Sequence, residues 1–225
     1  MARTLGSEDL DQVSHAGRRI LIGWTGGGDP AILHNLGSAQ SLPRELSLAP
    51  DRSLRQRFVP ELQTLRTSEV RASGRDAWFP RFVGLQAEVC ATLPAAACSA
   101  PDAKCGVMIL GDGERATKVL LAPELGLVMV DATAQGNAQV RGGPLPPPDA
   151  DGAWHIHLYA DHSILEVIVN NATALVVYVL PTAAAGRVAL IGLPDGEPTG
   201  ASIAAWRLSS PGHVYSCILR LSEEF

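Results

Sequence analysis

Residues Tyr159–Pro181 read YADHSILEVIVNNATALVVYVLP, and this stretch decides the fold. Two β-rich runs, Ser163–Val169 and Ala174–Leu180, flank the turn formers Asn170-Asn171, the pattern of strands separated by a tight turn. Working outward, runs of the same kind recur at close to the spacing of about 8–12 residues expected of a sandwich or barrel. They are Arg19–Trp24, Leu85–Leu93, Gly106–Gly111, Thr117–Leu121, Leu127–Asp131, Trp154–Tyr159, Arg187–Ile191 and Ser202–Leu208. Turn formers lie between them, as in Gly111-Asp112-Gly113, Gln135-Gly136-Asn137 and Pro194-Asp195-Gly196. No convincing 3.6-residue apolar stripe is found, and only Pro60–Arg66 predicts a helical turn. The chain reads as all-β.

Composition sets the bounds. The 225 residues suffice for one large all-β domain or two smaller ones. With 46% hydrophobic and 18% charged residues and a mean hydropathy of +0.12, there is apolar material for a sizeable core. A net charge of −5 and a pI near 5.6 argue against a nucleic-acid partner, which calls for a clustered basic footprint. No apolar run approaches the roughly 20 residues that span a bilayer, so no membrane partner is expected. Met1–Leu10 carries one Arg and no apolar core, so no signal peptide is visible and localisation stays open. The cysteines Cys90, Cys98, Cys105 and Cys217 show no C-x-x-C spacing and so no zinc knuckle or redox motif. Cys98 and Cys105 flank a short loop and either bridge or remain free thiols.

Two proline-rich breaks organise the chain. Pro43–Pro60, with Arg44, Arg52, Arg55 and Arg57, reads as a connector. Gly142–Pro148 reads as a stiff surface loop, because proline cannot donate to a central ladder. From Ser209 onward the strand pattern fades into a tail.

The Tyr159–Pro181 stretch resembles the hallmark hairpin of the C-terminal domain of glycoside hydrolase family 32, the invertases, β-fructofuranosidases and fructanases. Asp161, His162, Ser163, Glu166, Asn170, Asn171 and Pro181 fall in matching positions. Upstream, Arg18–Trp24 followed by Gly37, Gln40, Ser41, Leu42, Pro43 and Arg44 is similar to a second block of that family. Glu61-Leu62 and Leu65-Arg66 resemble the lead-in to its sandwich, and Gly106–Asp131 the two hairpins that precede the D-H-S strand. The likeness runs in order over about residues 2–208.

This resemblance implies an antiparallel two-sheet, concanavalin-like β-sandwich preceded by the remnant of a five-bladed β-propeller. It divides the chain into residues 1–42 as the last blade's remnant, 43–60 as linker, 61–208 as sandwich and 209–225 as tail. The family's catalytic carboxylates stand in N-D-P-N-G, R-D-P and E-C motifs in the propeller, and none occurs here. Arg75-Asp76 is followed by Ala77, and Glu88 is separated from Cys90 by Val89. No catalytic residue and no cofactor are therefore expected in this chain. The expected role is the non-catalytic sandwich of an enzyme that hydrolyses terminal β-D-fructofuranosides such as sucrose or fructans, supporting its propeller. The alternatives are a free-standing lectin-like carbohydrate-binding module and a non-catalytic assembly subunit. The implied partners are sucrose or fructan in the complete enzyme, the propeller itself and, in some members, a second copy. A secreted or vacuolar setting is implied as well.

Other constellations have plainer readings. His155 and His157 share one strand face and, with His162, offer imidazoles to a metal such as zinc; the pattern favours a polar face of a half-buried strand and no metal. Asp161-His162-Ser163 has the residue types of a hydrolytic triad, but consecutive strand residues point to opposite faces. Glu166 shares a face with Ile164 and Ile168, which predicts a partly buried carboxylate bonded to backbone or to an arginine. Its other reading is a contact that reaches the propeller. Gly26-Gly27-Gly28-Asp29 lacks the residues of a phosphate loop and reads as a hairpin tip, although Trp24 and Asp29 are candidates to touch sugar in a complete enzyme. Asn171-Ala172-Thr173 is an N-glycosylation acceptor pattern in a turn.

Overall fold

The structure, a computed structural model, describes residues 10–15, 17–25, 39–74, 78–79, 84–99, 104–111, 115–135, 140–181, 186–194 and 200–209. Within these, every strand pairing is antiparallel. An N-terminal sheet comprises β1 (Leu10–His15), β2 (Arg18–Thr25), β4 (Arg44–Leu48) and β5 (Leu54–Phe58) in that order, with the short β3 (Ala39–Gln40) on β2. Two six-stranded sheets follow. The proximal one, next to the N-terminal sheet, contains β6 (Arg66–Ser73), β8 (Gln86–Pro94), β13 (Ala153–Asp161), β14 (Ile164–Val169), β15 (Thr173–Tyr178) and β17 (Ser202–Leu208). The distal one contains β7 (Trp78–Phe79), β9 (Cys105–Gly111), β10 (Thr117–Ala122), β11 (Leu127–Asp131), β12 (Arg141–Pro144) and β16 (Arg187–Ile191). Their spatial orders are β15-β14-β13-β8-β17-β6 and β12-β11-β10-β9-β16-β7.

Alternation explains the packing. On β14, Leu165, Val167 and Val169 are fully buried and point into the sandwich, while Glu166 and Ile168 point the other way. The same period puts Val89, Leu93, Leu158, Val107, Val119, Leu121, Val128 and Val130 into one core between the two sheets. Asn170 and Asn171 adopt left-handed φ values of 47° and 52°, and Ala172 N–H donates to Val169 O at 3.0 Å. Asn tolerates this left-handed backbone, so two of them in succession suit the tight reversal between β14 and β15.

The structure departs from the sequence reading at both proline-rich breaks. Residues 43–60 are not an irregular connector: they supply β4 and β5, with Glu45 opposite Arg57. The proline-rich break contributes β12, an edge strand where Pro144 removes no central bond. Its carbonyls are taken by side chains, with Pro146 O accepting from Trp154 Nε1 and Pro147 O from Asn170 Nδ2, both at 2.8 Å. The helical turn is a 3₁₀ helix over Pro60–Leu65. Cys98 and Cys105 are joined in a disulfide with Cα atoms 5.6 Å apart. The Gly26–Asp29 tip, Arg75–Ala77, Cys217 and the tail beyond residue 209 lie outside the described residues.

Candidate functional site

The outer face of the proximal sheet carries two buried polar networks. The first centres on Glu166, 3% exposed. Its carboxylate accepts from the backbone N–H of Leu42 at 2.6 Å and from Arg44 Nη2 at 2.5 Å. Arg44 is itself 6% exposed and donates through Nη1 to Gln56 Oε1 at 3.3 Å. Burial pushes the Glu166 carboxyl up from its ordinary value against the opposing pull of Arg44 and the Leu42 N–H. Backbone and arginine, expected as alternatives, are both partners, and both come from the N-terminal segment. The buried carboxylate is therefore satisfied by, and at the same time holds, the N-terminal segment.

The rest of the hairpin does the same work. The Tyr178 hydroxyl lies against the backbone carbonyl and, at 3.0 Å, the hydroxyl of Thr25 on β2. Gln56 N–H donates to Asn171 O at 2.7 Å, and Arg55 Nη1 to Asn170 O at 3.1 Å. Phe58, Val59, Leu62, Tyr159 and Ile168 form a separate apolar cluster, joined by Ile20 and Leu42. Arg18 on β2 pairs with Glu61 at the start of the 3₁₀ helix. Docking of the N-terminal sheet thus rests on an apolar seam ringed by directed polar bonds.

The second network surrounds Glu88, whose side chain is fully buried. Arg66 grips the carboxylate with Nε at 2.7 Å and Nη2 at 2.5 Å, and stacks over Trp206 at 4.0 Å. His157 Nε2 lies 2.8 Å from Glu88 Oε1, and the Phe58 ring meets the His157 and Tyr159 rings edge-on. Burial alone would push the Glu88 carboxyl up; Arg66 and His157 override it and hold it down at about 2, from 4.5. Burial would push the His157 imidazole down; Cys90 and Glu88 override it and raise it from 6.5 to about 9.

A pH dependence of stability follows. The Glu88 contribution is complete above pH 4.5 and is lost as pH falls through 2. The His157 contribution is complete below pH 6.5 and is lost as pH rises through 9. At about 1.4 kcal/mol per unit, reduced because 30% of the side chain meets solvent, the alkaline limb should measure about 2 kcal/mol. Urea midpoints between pH 6 and 10 should show this decline, and His157→Gln should flatten it. An unchanged slope in that variant would refute the assignment.

Other sequence-expected residues lie apart from these networks. Trp24 is 49% exposed on β2, paired with Gln40. Pro43 offers its carbonyl to Val59 N–H. His155 bonds Asp151 and Thr92, so the three histidines do not converge. Asp161 and His162 do meet, at 2.7 Å, because His162 sits in a two-residue turn at φ 51° and not on a strand. Both are exposed, and among the described residues no hydrogen bond links His162 to Ser163, so no triad forms. Asn171 is exposed in its turn, as a glycan acceptor would need to be. An open polar groove of about 270 Å³ beside it is lined by Ser47, Arg55, Arg57 and Asp149 among others, with no aromatic ring.

Sequence reasoning missed the grouping of Glu88, Cys90 and His157. The alternations E-x-C and H-x-H put each pair on one face of its strand, but only the β8–β13 register, Cys90 opposite His157, brings the strands' polar residues together.

Comparison with known proteins accords with this architecture. The family described as glycosyl hydrolases family 32 C terminal matches residues 61–206. A sucrose-6-phosphate hydrolase of Vibrio alginolyticus is 28% identical over 171 residues, 71% of this chain and 31% of that protein. The chain therefore spans about a third of this relative. An exo-inulinase from Aspergillus awamori superposes with a TM-score of 0.72 at 16% identity, covering 89% of this chain and 43% of the other. A fructan 1-exohydrolase from Cichorium intybus, solved with 1-kestose, gives 0.68 at 17%, covering 89% and 48%. A β-fructofuranosidase from Bombyx mori gives 0.64 at 23%, covering 89% and 40%. At such identities these structures speak for the shared fold.

Proposed function

The chain belongs to glycosyl hydrolase family 32, and on that premise we propose that it is the non-catalytic C-terminal portion of an enzyme that hydrolyses terminal β-D-fructofuranosides such as sucrose or fructans. Residues 61–208 are the supporting sandwich, and the strands before them belong to the last blade of the catalytic propeller. The observation that carries this reading is the Glu166–Arg44–Leu42 clamp. The hairpin's buried carboxylate is committed to holding the N-terminal sheet and is not presented to a cleft. A retaining glycosidase needs two carboxyl groups roughly 5 Å apart across the scissile bond, one of them with a raised pKa. Glu166 is occupied by a guanidinium, Glu88 by another, and Asp161 is solvent-exposed beside His162.

The purified chain should release no reducing sugar from sucrose, inulin or levan at about pH 5, once freed of host invertase. Positioning supplies much of a glycosidase's rate, so unplaced carboxylates cannot substitute for the motifs this sequence lacks. Turnover that survives purification and disappears on mutating Asp161 or Glu166 would overturn the reading.

A further inference from the structure

Glu88, Cys90 and His157 offer a carboxylate oxygen, a thiol sulfur and an imidazole nitrogen that all lie within 4.8 Å of one another. Cys90 and His157 are direct cross-strand partners on β8 and β13, and Glu88 is two residues along the same face from Cys90. The three donors thus stand on adjacent, centrally placed strands whose spacing is fixed by the ladder. Cys90 is the free cysteine among the described residues, since Cys98 and Cys105 are bonded to each other. We propose that this trio is a binding site for one borderline-soft divalent cation, of which Zn²⁺ is the best fit.

The donor set decides the metal class. Thiolate with imidazole selects Zn²⁺ over Mg²⁺ or Ca²⁺, which take oxygen ligands. Tetrahedral bonds of about 2.0–2.3 Å separate ligand atoms by about 3.3–3.7 Å. Closing from within 4.8 Å asks little of the thiol, and His157, now 2.8 Å from Glu88, must draw back by about half an ångström. Its side chain is 30% exposed. A tetrahedral Zn²⁺ held by three protein donors would take water as its fourth ligand. Arg66, bonded to both oxygens of Glu88, acts as the outer partner that orients the carboxylate. Binding displaces the protons of His157 Nε2 and the Cys90 thiol, which pass to solvent.

The test uses the whole chain with Cys217→Ser, which removes the other thiol, and with no affinity tag. After chelator treatment, titration with Co²⁺ should reach one equivalent with an intense near-ultraviolet thiolate-to-cobalt band, abolished by Zn²⁺. Cys90→Ser, with its melting curve as a check on folding, should lose that band, and His157→Gln should weaken binding at least about tenfold. In the unsubstituted site, Zn²⁺ should also protect Cys90 from iodoacetamide. Absence of saturable binding, a cobalt spectrum without the thiolate band, or alkylation of Cys90 unaffected by Zn²⁺ would each overturn the proposal. None of these readouts depends on sugar hydrolysis.

Discussion

Val167→Asp is expected to abolish cooperative folding of the sandwich. Val167 is fully buried on β14, opposite Leu158 and Leu175 on the flanking strands, and faces the core shared by both sheets. An aspartate there loses the apolar contacts of the valine and places a carboxylate in an apolar core that includes Leu165, Val169 and Val177. The group would either ionise unpaired or fold only when protonated. Both cost several kcal/mol, against a total stability of about 5–15 kcal/mol for a domain. Near-ultraviolet circular dichroism should lose its fine structure, and urea should give no sigmoidal transition at pH 7. Leu175→Asp, at a partly buried position against the same core, should weaken the fold by less. A Val167→Asp protein with a midpoint near the parent's would contradict the packing described.

Glu166→Gln is expected to release the N-terminal sheet while leaving the sandwich folded. The amide keeps the shape of the carboxylate but leaves the Arg44 guanidinium buried without its counter-ion. Removing one member of a buried ion pair costs about 3–5 kcal/mol, because the remaining charge stays desolvated. The loss should be local. Amide hydrogens of β2 and β4 should exchange faster, while those of β8 and β13, held by the sandwich ladder, should remain protected. Replacing both partners with apolar residues, Arg44→Met with Glu166→Leu, should recover much of the stability, since no uncompensated charge is left. A loss below about 1 kcal/mol in Glu166→Gln, the range of a surface pair, would show that the clamp does not hold the two layers together.

Much of the architecture was legible in the residues. Period-2 alternation and Gly/Asn/Pro turns located β2, β8–β11, β13–β17 and the turn at Asn170-Asn171, because all of these except β2 bury one face in a large core. Strands β4 and β5 escaped notice, since R-E-L-S-L and L-R-Q-R-F show little alternation of polarity. Their arginine-rich character reads as solvated chain until a partner such as Glu45 or Glu166 is placed opposite. Strand β12 was hidden by prolines that only an edge can accept.

The sequence by itself determined the class of fold, the position of most sandwich strands, and the need of Glu166 for a backbone or arginine partner. Those follow from local geometry: alternation assigns a residue to a face, and burial on that face demands a bond for any charge it carries. Only the tertiary structure decided which residues answered that demand. Leu42 and Arg44 reach Glu166 across more than a hundred residues of sequence. The meeting of Glu88 and Cys90 with His157 likewise depends on the register between β8 and β13. A shift of one residue in that pairing would turn one strand's side chains to the opposite face. Register is fixed by the packing of the whole sandwich, so no stretch of the chain read alone contains it.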